Sequence, residues 1–251
     1  SMIDGAAINV LDFGADPTGV IECSVNIQNA INKAAEQGVS GYKTGPSQGG
    51  VVYFPPGVYK ISSTLEMPGD PAAAAQFVSL SGSGKASTLS WRGIASGVMV
   101  SYDNGSDEQA TFIENMSFQA ADGINGVIAI QASKNGNGCV NLRIEGNYFK
   151  GLGYALDCYT ETDQIQFIKN YVLLYNVGCV RMQGVCSNFQ FRDNHFRVGN
   201  GWAIEHLGLG ANILISGNTF QSASDAWKGI RLKEIGNFRI MLQVGLVLVQ
   251  L

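Results

Sequence analysis

Charge is scarce in this chain. Only 14% of its 251 residues are Asp, Glu, Lys or Arg, and the net charge is −4. So low a charged fraction, beside 32 glycines, excludes long solvated helices and disorder and suits a turn-rich β protein. Lys and Arg form no basic cluster, so nucleic acid is not an expected partner. Long apolar runs are missing too. None approaches the roughly 20 residues of a membrane-spanning helix, and no membrane partner is expected. The cysteines, Cys23, Cys139, Cys158, Cys179 and Cys186, are odd in number and lack metal-ligand spacing. They give neither a disulfide framework nor a zinc site and read as buried apolar side chains, and no metal site is expected from them. Histidine occurs twice, and both residues read as structural: His195 in an Asn-x-Phe turn, His206 facing inward. No Gly-x-Ser-x-Gly elbow suggests acyl transfer. Gly82-Ser83-Gly84 lacks the third glycine and following helix of a nucleotide site.

What is present is a repeat. Ile/Phe-x-x-Asn-x-Phe/Val recurs at Ile144–Phe149, Phe167–Val172, Phe191–Phe196 and Ile215–Phe220, and its asparagines, Asn147, Asn170, Asn194 and Asn218, are 23, 24 and 24 residues apart. Six residues earlier stand Asn141, Gln164, Asn188 and Asn212, each opening an alternating apolar run. Fourteen residues before the last three asparagines lie Leu156, Val180 and Ile204, centres of a second strand in each repeat. Gly229–Leu232 continues that column and Val127–Ile130 begins it. A fixed period of this size marks a solenoid whose units bury their apolar faces by stacking. Two or three short strands per period leave no room for a helix, so the expected fold is an all-β parallel β-helix of about 24 residues per rung. Asn tolerates the left-handed backbone of a sharp turn, and stacked amides can form a ladder. The asparagines are therefore assigned no chemistry.

The N-terminal quarter differs. Ser24 is expected to cap a helix with the apolar stripe Ile27, Ala30, Ile31, Ala34 and Ala35, ending at Gly38. Such a helix would close the open first rung. Val51–Phe54, Pro55-Pro56-Gly57 and Val58–Ser62 then read as strand, turn and strand. Val10-x-Asp12-Phe13-Gly14-Ala15, Asp16-x-x-Gly19, Ile27-Gln28-x-Ala30-Ile31 and Gly49-Gly50-Val51-Val52-Tyr53-Phe54-Pro55-Pro56-Gly57-x-Tyr59-x-Ile61 together resemble the N-terminal signature of the pectate-lyase superfamily. Leu80–Gly84 and Thr88-Leu89 are similar to its next element. The resemblance covers about residues 8–90 and implies a right-handed parallel β-helix. It also implies a place among polysaccharide hydrolases, lyases and phage tailspikes, and an extracellular or virion setting. It carries over no catalytic residue, because the signature lies in the cap. The second acidic pair common after Asp-x-x-Gly is replaced by Val20-Ile21-Glu22-Cys23.

Chemistry is therefore sought on outward rung positions. With Leu156, Cys158, Val180, Met182 and Ile204 inward, alternation turns Asp157, Arg181, Glu205 and Arg231 outward in one column. Tyr159, Gln183 and Lys233 lie beside it, and Trp202 and Trp227 fall in the turns leading into these strands. Asp157 and Glu205, two rungs apart, are expected about 9.6 Å apart at the usual strand spacing, near the upper end for an inverting glycosidase. In that reading one carboxyl protonates the glycosidic oxygen, the other activates water, and Arg181 binds an acidic sugar or tunes both. In a lyase reading Arg181 or Lys233 helps remove the proton alpha to a uronate carboxylate, and the acids bind Ca²⁺. Tyr159, Gln183, Trp202, Trp227, Arg231 and Lys233 would hold substrate. Against both readings, alternating acids and bases on adjacent strands also describe an ion-pair ladder that only stabilises the sheet.

The repeat is expected to stop at Ile240, since Gln243 and Gly245 replace the next asparagine and aromatic. Met241–Leu251 is an apolar tail that could cover the open end, contact another subunit or mark a shortened chain, and it predicts a homo-oligomer through that end. Ser1-Met2 reads as a tag remnant, which leaves localisation illegible. One domain over 1–251 is expected, with cap and first rungs at 8–65, rungs at 66–240 and the tail at 241–251. The functional expectation is a glycoside hydrolase or polysaccharide lyase for an acidic or complex polysaccharide. The alternative is a glycan-binding or structural module of tailspike type.

Overall fold

A four- or five-residue strand with alternating apolar side chains buries one face and leaves its backbone edges open, so it needs neighbours on both sides. In the computed structural model, which describes residues 7–36, 48–67, 77–102, 111–134, 136, 138–221, 227–233, 238–241 and 249–250, stacking supplies them. The chain passes in turn through three long sheets. The first has nine strands, from Ile8–Asn9 to Phe238–Met241; the second has eight, from Thr18–Glu22 to Thr219–Gln221; the third has eight, from Leu65–Met67 to Val249–Gln250. Each strand pairs in parallel with its counterpart one rung away, and the crossovers take the right-handed sense. The expected parallel β-helix is thus the fold. A fourth short strand joins the middle rungs at Cys139–Val140, Thr162–Asp163 and Cys186–Ser187.

Register lines identical side-chain types up inside. Leu80, Ile113, Ile144, Phe167, Phe191 and Ile215 stack in the first sheet. Phe118, Phe149, Val172, Phe196 and Phe220 stack in the second, and Ile130, Leu156, Val180, Ile204 and Ile230 in the third. They form one continuous core that also holds all five cysteines. At the corner between the first and second sheets the asparagine ladder forms as expected. Asn147 N and Nδ2 donate to Asn170 Oδ1, Asn170 to Asn194, and Asn194 to Asn218, at 2.9–3.2 Å. Each of Asn170, Asn194 and Asn218 also donates to the carbonyl of Ile144, Phe167 or Phe191.

Several expectations are corrected. The ladder asparagines are not the left-handed residues. Positive φ falls on the residue before each of them, Gly146, Lys169, Asp193 and Gly217, and on the outer column Asn141, Gln164, Asn188 and Asn212. The ladder amides owe their position to hydrogen bonding, not to backbone tolerance. The third sheet begins two rungs before Val127, at Leu65–Met67 and Val98–Tyr102. The early rungs are longer, with steps of 33 and 31 residues against 23 or 24 later, so a fixed offset could not find them. Within the tail, for which a strand over the open end is one alternative, Val249–Gln250 pairs in the third sheet, since a parallel ladder is made by backbone groups and needs no asparagine. Residues 242–248 and 251 of the expected tail lie outside the described residues.

The helix Ser24–Glu36 buries the expected stripe, Ile27, Ala30, Ile31, Ala34 and Ala35. Its proposed end at Gly38 lies outside the described residues. Its cap falls one residue earlier than expected, with Ile27 N donating to the Cys23 carbonyl. The Ser24 hydroxyl instead receives Ser62 N and Ser63 N, while Glu22 accepts from Ser24 N and its hydroxyl. Gln28 acts as a substitute strand: its side chain donates to Glu66 O and accepts from Glu66 N, both at 2.9 Å, which satisfies the free edge of the third sheet. The Asp-x-x-Gly segment is equally structural. Asp16 accepts from Thr18 N, Thr18 Oγ1, Val20 N and Ile21 N, and these bonds hold its pKa down at about 2. A Cβ on Gly57 would lie 2.5 Å from Pro17 Cβ, so the turn after Pro55-Pro56 requires glycine.

Candidate functional site

The outward column of the third sheet forms as the sequence implies. Glu66, Ser101, Gln131, Asp157, Arg181, Glu205, Arg231 and Gln250 are in direct register. Its four central charges are paired. Arg181 grips Asp157 with two parallel bonds, Nε to Oδ1 at 2.9 Å and Nη2 to Oδ2 at 2.6 Å, and Gln183 Nε2 donates to Oδ1 at 2.9 Å. The Asp157 side chain is 0% exposed and that of Arg181 24%. Arg231 Nη1 reaches Glu205 Oε1 at 3.2 Å, a looser contact, with Glu205 13% and Arg231 40% exposed.

Two environments result. The Arg181 guanidinium lies 4.2 Å from the centre of the Tyr154 ring, beneath which it is partly desolvated. Burial works against its charge, but the hydrogen bonds and charge of Asp157 outweigh burial and raise its pKa. Burial, with the Asp157 carboxylate adding to it, pushes the phenols of Tyr154 and Tyr159 up. Around Glu205 the site is more open. Lys228 Nζ lies 5.5 Å from the Trp202 ring and the Arg231 guanidinium 6.0 Å from it.

Tyr159, Gln183 and Lys233 follow their strands in one further column, tied by Tyr159 N to Ala132 O, Gln183 N to Cys158 O and Lys233 N to His206 O. The two tryptophans stand in strands, not in turns: Trp202 in Gly201–His206 opposite Lys228, and Trp227 at the start of Trp227–Leu232 opposite Gly201. The side chain of Trp227 lies outside the described residues. His206 is fully buried as expected, with Nε2 3.3 Å from Cys186 O. His195 is no turn residue but opens the strand His195–Gly199 of the second sheet.

Sequence reasoning missed Tyr154 and Lys228. Tyr154 escaped because alternation fails at the strand entrance, where Gly153 N and Tyr154 N share the Val127 carbonyl and Ala155 N and Leu156 N share that of Cys179. Lys228 carried a usable signal, its register opposite Trp202. Among the described residues no three His, Cys, Asp or Glu side chains come together to hold a metal. Asp157, one of the two acids that the lyase reading gives to Ca²⁺, has both oxygens occupied by Arg181 and Gln183.

The family model described as rhamnogalacturonase A/epimerase, pectate lyase-like, matches residues 7–230. No curated protein matches the chain. Among solved structures, ORF18 of Geobacillus virus E2 is similar with a TM-score of 0.64 and 20% identity, over 93% of this chain and 48% of that one. This chain therefore spans about half the length of that protein. DFA-IIIase from Arthrobacter chlorophenolicus A6, in complex with DFA-III, gives 0.62 and 17%, over 89% and 59%. The A-module of the mannuronan C-5 epimerase AlgE6 from Azotobacter vinelandii gives 0.52 and 16%, over 91% and 75%. At these identities the likeness is one of fold.

Proposed function

We propose, since this chain belongs to the rhamnogalacturonase A/epimerase, pectate lyase-like family, that it engages an acidic polysaccharide along the outer face of the third sheet. On that face Arg231, Lys228 and Lys233 meet the sugar carboxylates beside Trp202. The observation that carries this reading is the state of Asp157, fully buried with both oxygens already hydrogen-bonded. A general acid must come within hydrogen-bond reach of the oxygen it protonates, and Asp157 would first have to abandon Arg181 and Gln183. Without it the column offers Glu205 no adjacent second carboxylate among the described residues for the inverting arrangement, its register neighbours being Arg181 and Arg231. The ion-pair ladder explains Asp157 and Arg181, and binding explains the exposed cations beyond them.

A second reading is favoured by Glu205 itself, which is partly exposed and held by one 3.2 Å contact. Chemistry that begins with one base, β-elimination, would use Glu205 or Lys233 to take the proton alpha to a uronate carboxylate paired by Arg231, while the C4–O glycosidic bond breaks to leave a C4–C5 double bond and the departing oxygen takes a proton from water. Arg181 is engaged by Asp157 through two hydrogen bonds, which favours Glu205 or Lys233 over it as the base. Affinity electrophoresis in gels containing polygalacturonate, alginate or neutral dextran tests the proposal. Retardation by the polyuronates alone, weakened in R231A, is expected. Wild-type mobility unchanged by every polyuronate at low salt would sink it.

A further inference from the structure

Outward positions of the second sheet carry a different set of residues. Register places Tyr148, Tyr171 and His195 one above another, and Lys150, Leu173 and Arg197 in the adjacent outward column. The rings stack, Tyr148 on Tyr171 at 5.6 Å and Tyr171 on His195 at 4.6 Å. Lys85, on the turn before the strand Ser87–Trp91, holds its ammonium 4.1 Å from the centre of the Tyr148 ring and 5.3 Å from that of Tyr171. Arg197 Nη1 donates to the Tyr171 hydroxyl at 3.3 Å.

The charge balance of this face is unlike that of the other two. On the first sheet Arg143 is paired with Glu114 and Glu145, and Lys169 with Glu145. On the third, Arg181 and Arg231 are paired with Asp157 and Glu205. In the second sheet the seven strands from Gly57–Ile61 to Thr219–Gln221 contain no Asp or Glu, and among the described residues no ion pair falls on that face. A chain of net charge −4 therefore sets Lys85, Lys150 and Arg197 on this face with no carboxylate paired to them among the described residues.

We propose that this strip is a second glycan-binding face, separate from the third-sheet face, for a uronic-acid polysaccharide lying along the solenoid axis. Rungs repeat at about 4.8 Å, close to the length of one pyranose unit, so successive rungs meet successive sugars. The phenol hydroxyls of Tyr148 and Tyr171 are held rigid by stacking, so they meet sugar hydroxyls at little cost in side-chain entropy. Lys85, Lys150 and Arg197 supply charge-assisted bonds to carboxylates. Single-stranded nucleic acid fits less well. Its bases bind by stacking on open aromatic faces, and here the ring faces are covered by one another and by Lys85.

The test is affinity electrophoresis with polygalacturonate, dextran and poly(dT) on the wild-type chain and on K85E/R197E, Y171F and R231A, each checked by far-UV circular dichroism and melting. Y171F keeps the ring stack and removes only the hydroxyl, so it serves if the charge reversal misfolds. The expected result is a Kd for polygalacturonate raised about tenfold or more in K85E/R197E and about threefold in Y171F, with dextran and poly(dT) not retained. Loss in R231A alone, with K85E/R197E and Y171F as wild type, overturns the second face and leaves the third-sheet reading standing. Loss in K85E/R197E and Y171F with R231A as wild type does the reverse. Tighter retention by poly(dT) than by polygalacturonate overturns the choice of occupant.

Discussion

Asn170 shows how much one side chain does in a solenoid. It accepts from Asn147 N and Nδ2 and donates to Ile144 O, all buried. Asn170→Ala strands a buried N–H and a buried carbonyl, at about 1–3 kcal/mol each, and is expected to lower stability by about 2–4 kcal/mol in urea unfolding. Asn218→Ala, at the end of the ladder, should cost less. The ladder was legible because identical amides at a fixed period have few other uses. Its backbone conformation was not, because a glycine, lysine or aspartate takes the left-handed position just before it. The burial of Asp157 was also illegible, since it depends on Tyr154 and Gln183 closing around the pair from outside the column. Asp157→Ala leaves Arg181 partly buried without its partner, and a loss on the order of 2 kcal/mol is expected, below the figure for fully buried pairs because Arg181 keeps some solvent. His206 adds a pH dependence. Burial lowers its pKa against weaker opposition from backbone hydrogen bonds, the Cys186 contact first among them. The unfolded chain therefore binds a proton more readily than the folded one. Stability is full above the ordinary histidine value and falls as pH drops through it toward the lowered folded value. His206→Gln should flatten that part of a Tm-against-pH curve, and an unchanged slope would assign it to other groups.

The helix Ser24–Glu36 is the element whose role follows most directly from its sequence. Its apolar stripe predicted a cap, and the stripe is buried against the first rungs. What the stripe did not reveal is Gln28, whose side chain pairs both backbone groups of Glu66. Edge pairing leaves no periodic trace. Ile31→Ala is expected to cost about 2–4 kcal/mol and to expose the end of the core, which increased binding of a hydrophobic dye in the folded baseline would report. Strands are legible where rungs are uniform, from Leu142 onward, and illegible where steps lengthen to 31 and 33 residues. A period is evidence only while it holds.

Taken whole, the molecule is a three-sided column with a continuous core and three unlike outer faces. Two carry ion-paired charge, while on the second-sheet face the cations lie against aromatic rings and, among the described residues, make no ion pair. That division could not be seen in the net charge of −4, which averages over all faces. Polyuronate binding should therefore weaken with ionic strength although protein and ligand are both negative overall, since local cations lie within a Debye length of about 10 Å at 0.1 M salt. A Kd independent of salt between 0.05 and roughly 0.3 M would remove the charged contacts from the interaction. The most direct test of the third-sheet face is release of reducing ends and unsaturated uronates from polygalacturonate and alginate by wild-type protein and D157N, matched for melting and for retention on the polymer. The expected result is retention of both proteins, with any release unaffected by the substitution. Release by the wild type that disappears in an equally folded, equally retained D157N would make Asp157 a catalytic acid and contradict the binding assignment.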